Sequence, residues 1–374
     1  MDGVGDYTFS LAKELVQRGK DISVICAQKD SINTLHKQPF RVAPVVKDWN
    51  HAKTGRLLKK LIKANKPDLI IWQYVPHSFN PYGIPRKVPK WVKICSSHAP
   101  TFVFFHEVRI KINPRNYKSI LLGIPMAWIS RKVLKAAHAT ATSNPGYQQL
   151  LDPQKTRIIP VPSNFNLKPL APLQKDQIKV KLGLEGKFII GTFGQGVRGQ
   201  QTLIHSFVDF ARQKPQAHLH LIGGIRKEQK IEIENLAETL GLRSKITFSG
   251  YLSADEIRDH LGILDIYCML EPSHSKTTWT GTSTRSGTFA AALQAGLPVI
   301  GVEGELNNKE LKEVIILLPK LEQKLLTEAL FSLEEDEARI RSQQEKSLKY
   351  AKEVLNWDQT TTQYLHWIEE HNIK

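Results

Sequence analysis

Cysteine is almost missing from this chain. The three present, Cys26, Cys95 and Cys268, are odd in number and far apart in 374 residues. That pattern excludes a disulfide framework and a cysteine-built metal cluster, and a reducing, cytoplasmic setting is the expectation. Long apolar runs are lacking as well. No stretch has the roughly 20 apolar residues needed to span a bilayer, and the opening residues do not show the basic-then-apolar layout of a secretory signal. Neither a zinc-finger spacing nor an RNP-like aromatic motif occurs, so nucleic acid is not an expected partner. No carboxylate cluster suited to a divalent metal stands out, so no metal or cofactor is expected.

Acidic side chains are scarce in one half only. Residues 1–168 hold 27 Lys and Arg against 9 Asp and Glu, leaving 25 against 27 in the remainder, within an overall net charge of +16. The first half should therefore seek an anionic partner, while the second is nearly neutral. An anionic membrane surface and a phosphorylated acceptor both fit, as does a merely solvated basic face. With 41% hydrophobic and 24% charged residues the composition is that of a globular protein, and the length exceeds a usual single-domain core, so two domains are expected.

The most informative stretch is Gly281 to Ile300, GTSTRSGTFAAALQAGLPVI. A polar run with two glycines opens into a small, helix-permissive segment and then turns into an apolar strand, which reads as loop, helix start, helix and strand. Free N–H groups around Ser286, Gly287 and Thr288 would point out of the helix start, where the dipole favours an anion such as phosphate. Arg285 adds a planar cation suited to phosphate oxygens. An ordinary helix cap has the same appearance.

This stretch closely resembles the donor-nucleotide loop of retaining glycosyltransferases of family 4. The resemblance implies an α/β fold of the GT-B type, two Rossmann-like domains with parallel sheets facing an interdomain cleft. In much of that family two glutamates eight positions apart hold the donor. Ser283 and Ala291 occupy those positions here, and the chain instead looks like the subgroup whose loop carries Ser, Arg and Gly-Thr before an Ala-rich helix. The implied donor-binding set includes Ser283, Thr284, Arg285, Ser286, Gly287 and Thr288. A second element, FIIGTFGQGVRGQQTLIHSF, reads as strand, glycine-rich loop and helix. It resembles the family's diphosphate cradle, with Gly194, Arg198 and Gly199 at matching places and Gln195 where the family has an Arg. Arg285 would then stand in for that cation, and Glu271 would hold a ribose or sugar hydroxyl.

The opening segment, MDGVGDYTFSLAKELVQRGKDISVICA, reads as a glycine loop, an amphipathic helix with Phe9, Leu11, Leu15 and Val16 on one face, a stop at Gly19 and a buried strand. It resembles the family's first loop and helix, which puts Gly3, Gly5 and Asp6 on the phosphate or acceptor side. The strand that precedes this loop in the family is apparently absent. TFVFF reads as a strand delivering His106 and Glu107, and it resembles the family's strand-then-His element. His106 would hydrogen-bond the transferred sugar or an acceptor hydroxyl, with Glu107 orienting it. Tyr117 to Ala137 reads as a long helix whose apolar residues, Leu121 and Trp128 among them, pack on the sheet; a membrane surface is the alternative. NLKPLAPLQKDQ reads as the linker between domains.

The expected organisation is a Rossmann-like acceptor-side domain over 1–168, a Rossmann-like donor domain over 169–350 and a C-terminal helix over 351–374 that packs back on the first. The expected activity is transfer of a sugar from a nucleotide-diphosphate sugar to a glycan, lipid-linked or other polysaccharide-precursor acceptor, metal-independent and retaining, by a cytoplasmic enzyme with peripheral contact to the inner face of the plasma membrane. An inactive glycosyltransferase-like scaffold and a GT-B sugar-nucleotide epimerase are the alternatives.

Overall fold

The computed structural model describes residues 3–28, 38–272, 275 and 278–371. The chain divides into two compact units, one drawn from residues 1–160, 276–279 and 357–374, the other from 161–275 and 280–356.

In the first unit, α1 (Gly3–Gln17) forms because Tyr7, Leu11, Ala12 and Leu15 recur at three- and four-residue spacing, and all four are buried. Gly3 and Gly5 therefore lie in the first helical turn, not in a loop before it. Gly19, with a φ of 77°, then stops the helix at no steric cost. β1 (Ser23–Ala27) and β2 (Arg41–Val46) pair in parallel. Next come α2 (Lys53–Asn65), β3 (Ile70–Tyr74), the short α3 (Pro76–Phe79), α4 (Val88–Ser96), β4 (Thr101–Phe105), α5 (Tyr117–Ala136), β5 (Ala139–Thr142), α6 (Pro145–Leu151) and β6 (Thr156–Ile158). Strands β3 to β6 form a second parallel sheet in chain order. Every residue of β4 is buried, as a continuous apolar strand covered on both faces should be.

The second unit begins with α7 (Pro172–Lys181), β7 (Phe188–Phe193), α8 (Gln200–Gln213), β8 (Ala217–Ile222), α9 (Lys227–Thr239), β9 (Ile246–Phe248) and α10 (Ala254–Gly262). It continues through β10 (Ile266–Cys268), α11 (Gly287–Gln294), β11 (Val299–Val302), α12 (Leu311–Val314), β12 (Ile316–Leu318), α13 (Gln323–Glu334) and α14 (Glu337–Glu353). Its six strands run in the order β12-β11-β10-β7-β8-β9, with every pair parallel. Alternation along the strands divides the core: Ile190, Leu221, Ile266 and Ile300 face one layer, Ile189, Ile222, Tyr267 and Val299 the other. A Ser253–Glu256 capping box opens α10.

The linker departs from its sequence reading. From Pro172 it is helical, although none of the ten residues of α7 is buried. Lys175 and Lys179 reach Asp265 at 2.7 and 3.3 Å, and the same carboxylate accepts the amide of Ile189 at 2.7 Å, so charge holds the helix alongside the partly buried Ile178. The last helix, α15 (Trp357–Glu369), belongs to the first unit and packs on α1.

Candidate functional site

In the second unit, the two connections that follow β7 and β10 converge on one carboxylate. Glu271, just beyond β10, is 4% exposed. Its Oε1 accepts from Arg198, in the loop between β7 and α8, and lies 3.8 Å from Nη2 of Arg285 in the loop before α11. Burying a carboxylate demands charged partners. Two guanidiniums supply them and are in turn fixed in place, Arg198 largely exposed and Arg285 largely covered. In open α/β sheets this region beyond the strand ends is where ligands sit. The Glu271 carboxylate is thus committed to the two arginines.

The glycine loop is shaped by contacts a side chain would break. Gly199 caps α8 in the left-handed region, with a φ of 60°, and a Cβ there would come within 2.8 Å of Leu321 Cδ2 and 3.1 Å of Leu270 Cβ. Gly194 packs backbone to backbone with Gly223, where an added Cβ would lie 2.2 Å from the Gly194 carbonyl oxygen. Gln229 of α9 clamps the loop, its Oε1 accepting from Val197 N at 3.2 Å and its Nε2 donating to Val197 O at 2.8 Å. That clamp was not read from the sequence, since nothing in α9 marks Gln229 among its other polar residues.

The loop before α11 separates into a buried half and an accessible half. Thr282, Ser283 and Thr284 are at most 1% exposed. Thr284 Oγ1 donates to Asn308 Oδ1 at 2.9 Å, and the Thr284 carbonyl accepts from Val161 N at 2.8 Å. Asn307 Nδ2 donates to the Thr282 carbonyl at 2.6 Å. These residues brace the loop from beneath, and Ser283 Oγ is buried with no hydrogen-bond partner among the described residues. Arg285, Ser286, Gly287 and Thr288 form the accessible half. Ser286 caps α11 by accepting from Phe289 N at 3.3 Å, and its hydroxyl meets that of Thr288 at 3.0 Å. The cap leaves the first-turn amides of Gly287 and Thr288 at the positive end of the helix dipole. Below them lies Tyr267, whose phenol burial pushes up to about 12, so it stays neutral. The Asn307–Asn308 pair is one polar dipeptide within a charged stretch, Glu303 to Glu313, and its role depends on a fold that brings it under the loop.

In the first unit, His106 follows β4. Its Nε2 lies 2.8 Å from Oε1 of Gln73 on β3, and its ring meets Tyr7 of α1 edge-on at 4.8 Å. The partner found at Nε2 is therefore Gln73, while Glu107 is exposed. Tyr7 follows Asp6 directly, so the His106 ring and the first turn of α1, with Gly3, Gly5 and Asp6, share one neighbourhood. Among the described residues, no group of three or more His, Cys, Asp or Glu side chains could hold a metal ion.

A glycine loop, a helix N-terminus and two arginines at the carboxyl end of one Rossmann-like sheet, with a second parallel-sheet unit, define the class of GT-B glycosyltransferases. Two family models match this chain: Glycosyltransferase Family 4 over residues 1–162 and Glycosyl transferases group 1 over residues 174–354. The chain belongs to the family-4-like GT-B glycosyltransferases and is a glycosyltransferase. Mannosylfructose-phosphate synthase of Agrobacterium fabrum is 26% identical over 108 residues, an alignment spanning 27% of this chain and 24% of that relative. HepE of Anabaena, solved with UDP and glucose, superposes with a TM-score of 0.70 at 16% identity, over 99% of this chain and 96% of HepE. Sucrose-phosphate synthase of Thermosynechococcus elongatus gives 0.72 at 16% identity, over 99% and 93%.

Proposed function

We propose that this protein moves a glycosyl group from a nucleotide-diphosphate sugar to a hydroxyl of a glycan, lipid-linked or other polysaccharide-precursor acceptor, with retention at the anomeric carbon. Residues 169–350 bind the donor and residues 1–168 serve the acceptor. The observation that carries the reading is the Arg198–Glu271–Arg285 cluster beside the N-terminus of α11. Two guanidiniums and the amides of Gly287 and Thr288 supply fixed positive charge where a diphosphate departs, and such preorganised charge is worth most in the transition state. The complexes of HepE with UDP and with UDP-glucose support a uridine nucleotide in the same fold.

In this reaction the bond from the anomeric carbon to the diphosphate oxygen breaks as the acceptor oxygen bonds to that carbon on the same face. The acceptor proton passes to the departing diphosphate, so no side-chain nucleophile is required. His106, oriented by Gln73, hydrogen-bonds the transferred sugar or the acceptor hydroxyl. The basic first half suits an anionic acceptor held at the inner face of the plasma membrane.

The test is thermal-shift binding with UDP, GDP, ADP and their sugar conjugates. A ligand present at about 100 times its Kd and bound only to the native state adds about 2.7 kcal/mol, enough to register as a shift. One nucleotide family should stabilise the protein, with the shift lost in Arg285→Ala. A folded sample that responds to none of them would refute the proposed donor site.

A further inference from the structure

The helix α5 presents one face to solvent along its whole length. Tyr117, Leu121, Ile124 and Trp128 are 72, 66, 53 and 54% exposed, while Gly123, Met126, Ile129 and Val133 on the opposite side are buried. Their spacing of four, three and four residues puts the exposed four in one stripe about three turns long. The same face then becomes basic at Arg131, Lys132 and Lys135, all exposed, with Lys118 beside its start. Lys132 Nζ sits 3.5 Å above the Trp128 ring, joining the two halves. The sequence reading assigned Leu121 and Trp128 to the core. The buried face is instead carried by residues between them in the sequence.

Four large apolar side chains in a continuous exposed stripe require a partner. Charge decides which. Residues 108–151 contain seven Lys and Arg and no Asp or Glu, and Glu107 is the one acidic residue between Asp68 and Asp152. A second copy of the chain would set this basic field against itself, which costs binding. A bilayer of anionic lipid satisfies both halves at once, with aromatic and aliphatic side chains entering the headgroup boundary and the lysines and arginine meeting phosphates. No described helix is long and apolar enough to cross a membrane, so α5 would lie along the surface.

We infer that the exposed face of α5, from Tyr117 to Lys135, is a docking surface for an anionic membrane. The inference rests on the membrane placement proposed above and names its surface; donor binding is read separately by the nucleotide shift. The test is co-sedimentation of the full chain with phosphatidylcholine vesicles, with and without phosphatidylglycerol, at low and high salt. Binding should need the anionic lipid and weaken with salt. Leu121→Glu with Trp128→Glu should reduce partitioning at least tenfold. Arg131→Gln with Lys132→Gln should reduce it roughly fivefold per charge removed, the factor that about 1 kcal/mol per basic residue gives. All sites are exposed, so both variants should keep the thermal stability and nucleotide shift of the parent. Wild-type chain that ignores anionic vesicles, equal binding to neutral ones, or variants that bind as well as the parent would each overturn the assignment. A dimer in solution that Leu121→Glu with Trp128→Glu dissolves would also overturn it and give the face to a second copy.

Discussion

Glu271 is where the residue-scale chemistry concentrates. A nearly buried carboxylate whose Oε1 takes one guanidinium in a hydrogen bond and lies near a second is an internal anion, occupying charge that a diphosphate would otherwise claim. Replacing it by Gln keeps the shape and removes the charge. At about 7 Å and an effective dielectric near 20, one unit charge is worth about 2 kcal/mol before screening. Glu271→Gln should therefore tighten inorganic pyrophosphate binding on the order of tenfold, read by calorimetry, and unchanged or weaker pyrophosphate binding would show that the arginines need Glu271 to hold their geometry. Arg198 and Arg285 were legible in the sequence because they sit in loops with a recognisable pattern. The commitment of Glu271 to both was not, since the three residues lie 14 to 87 positions apart in two connections. Thr284 was read as a donor contact, yet its hydroxyl is spent on Asn308.

Among the elements, β8 carries the feature that sequence concealed most completely. His218 and His220 alternate onto one face, and register puts His220 directly opposite Thr247 on β9. Thr247 Oγ1 lies 3.0 Å from His218 Nε2 and 2.7 Å from His220 Nδ1, and His220 Nε2 lies 2.7 Å from His260 Nδ1 on α10. Burial, then Lys187 and Lys245, push His218 down to about 4 from an ordinary 6.5; burial, then His260 and His218, push His220 down to about 3. His260 is also lowered, chiefly by burial, against the opposing pull of Glu256 and Asp259. Neutral histidines in the folded chain and protonated ones in the unfolded chain mean that unfolding takes up protons. Stability should then be level above pH 6.5 and fall as the pH drops towards 4 for His218 and 3 for His220, by at most about 1.4 kcal/mol per pH unit for each. Urea unfolding between neutral pH and about pH 5 measures the slope, which His220→Gln should flatten. Most strands were readable as apolar runs and most helices from their spacing. α7 was not, because a surface helix without buried residues has no apolar period to read.

For the molecule as a whole, the decisive fact is that the first unit is not built from a continuous chain. It breaks off at Pro160 and is completed by α15 after the second unit has been made. The returning helix supplies buried contacts, with Trp367 at 4.3 Å from the Phe102 ring and the Tyr364 and Tyr7 hydroxyls 3.2 Å apart. Just past its end Glu370 forms an exposed ion pair with Arg157 through two bonds of 2.8 and 3.0 Å. Phe102 belongs to the fully buried β4, so without α15 that face of the sheet would meet water. Residues 1–160 expressed alone should accordingly expose apolar surface, bind a hydrophobic dye and unfold without a sharp transition, and a peptide of residues 357–371 added in trans should restore cooperativity. In the intact chain, Trp367→Ala should cost about 3 kcal/mol in unfolding of the first unit, the usual scale for emptying a buried aromatic site. The nucleotide-dependent shift proposed for the second unit should survive that substitution. A fragment of residues 1–160 that folds as sharply without the peptide would mean that α15 covers a finished domain instead of completing it.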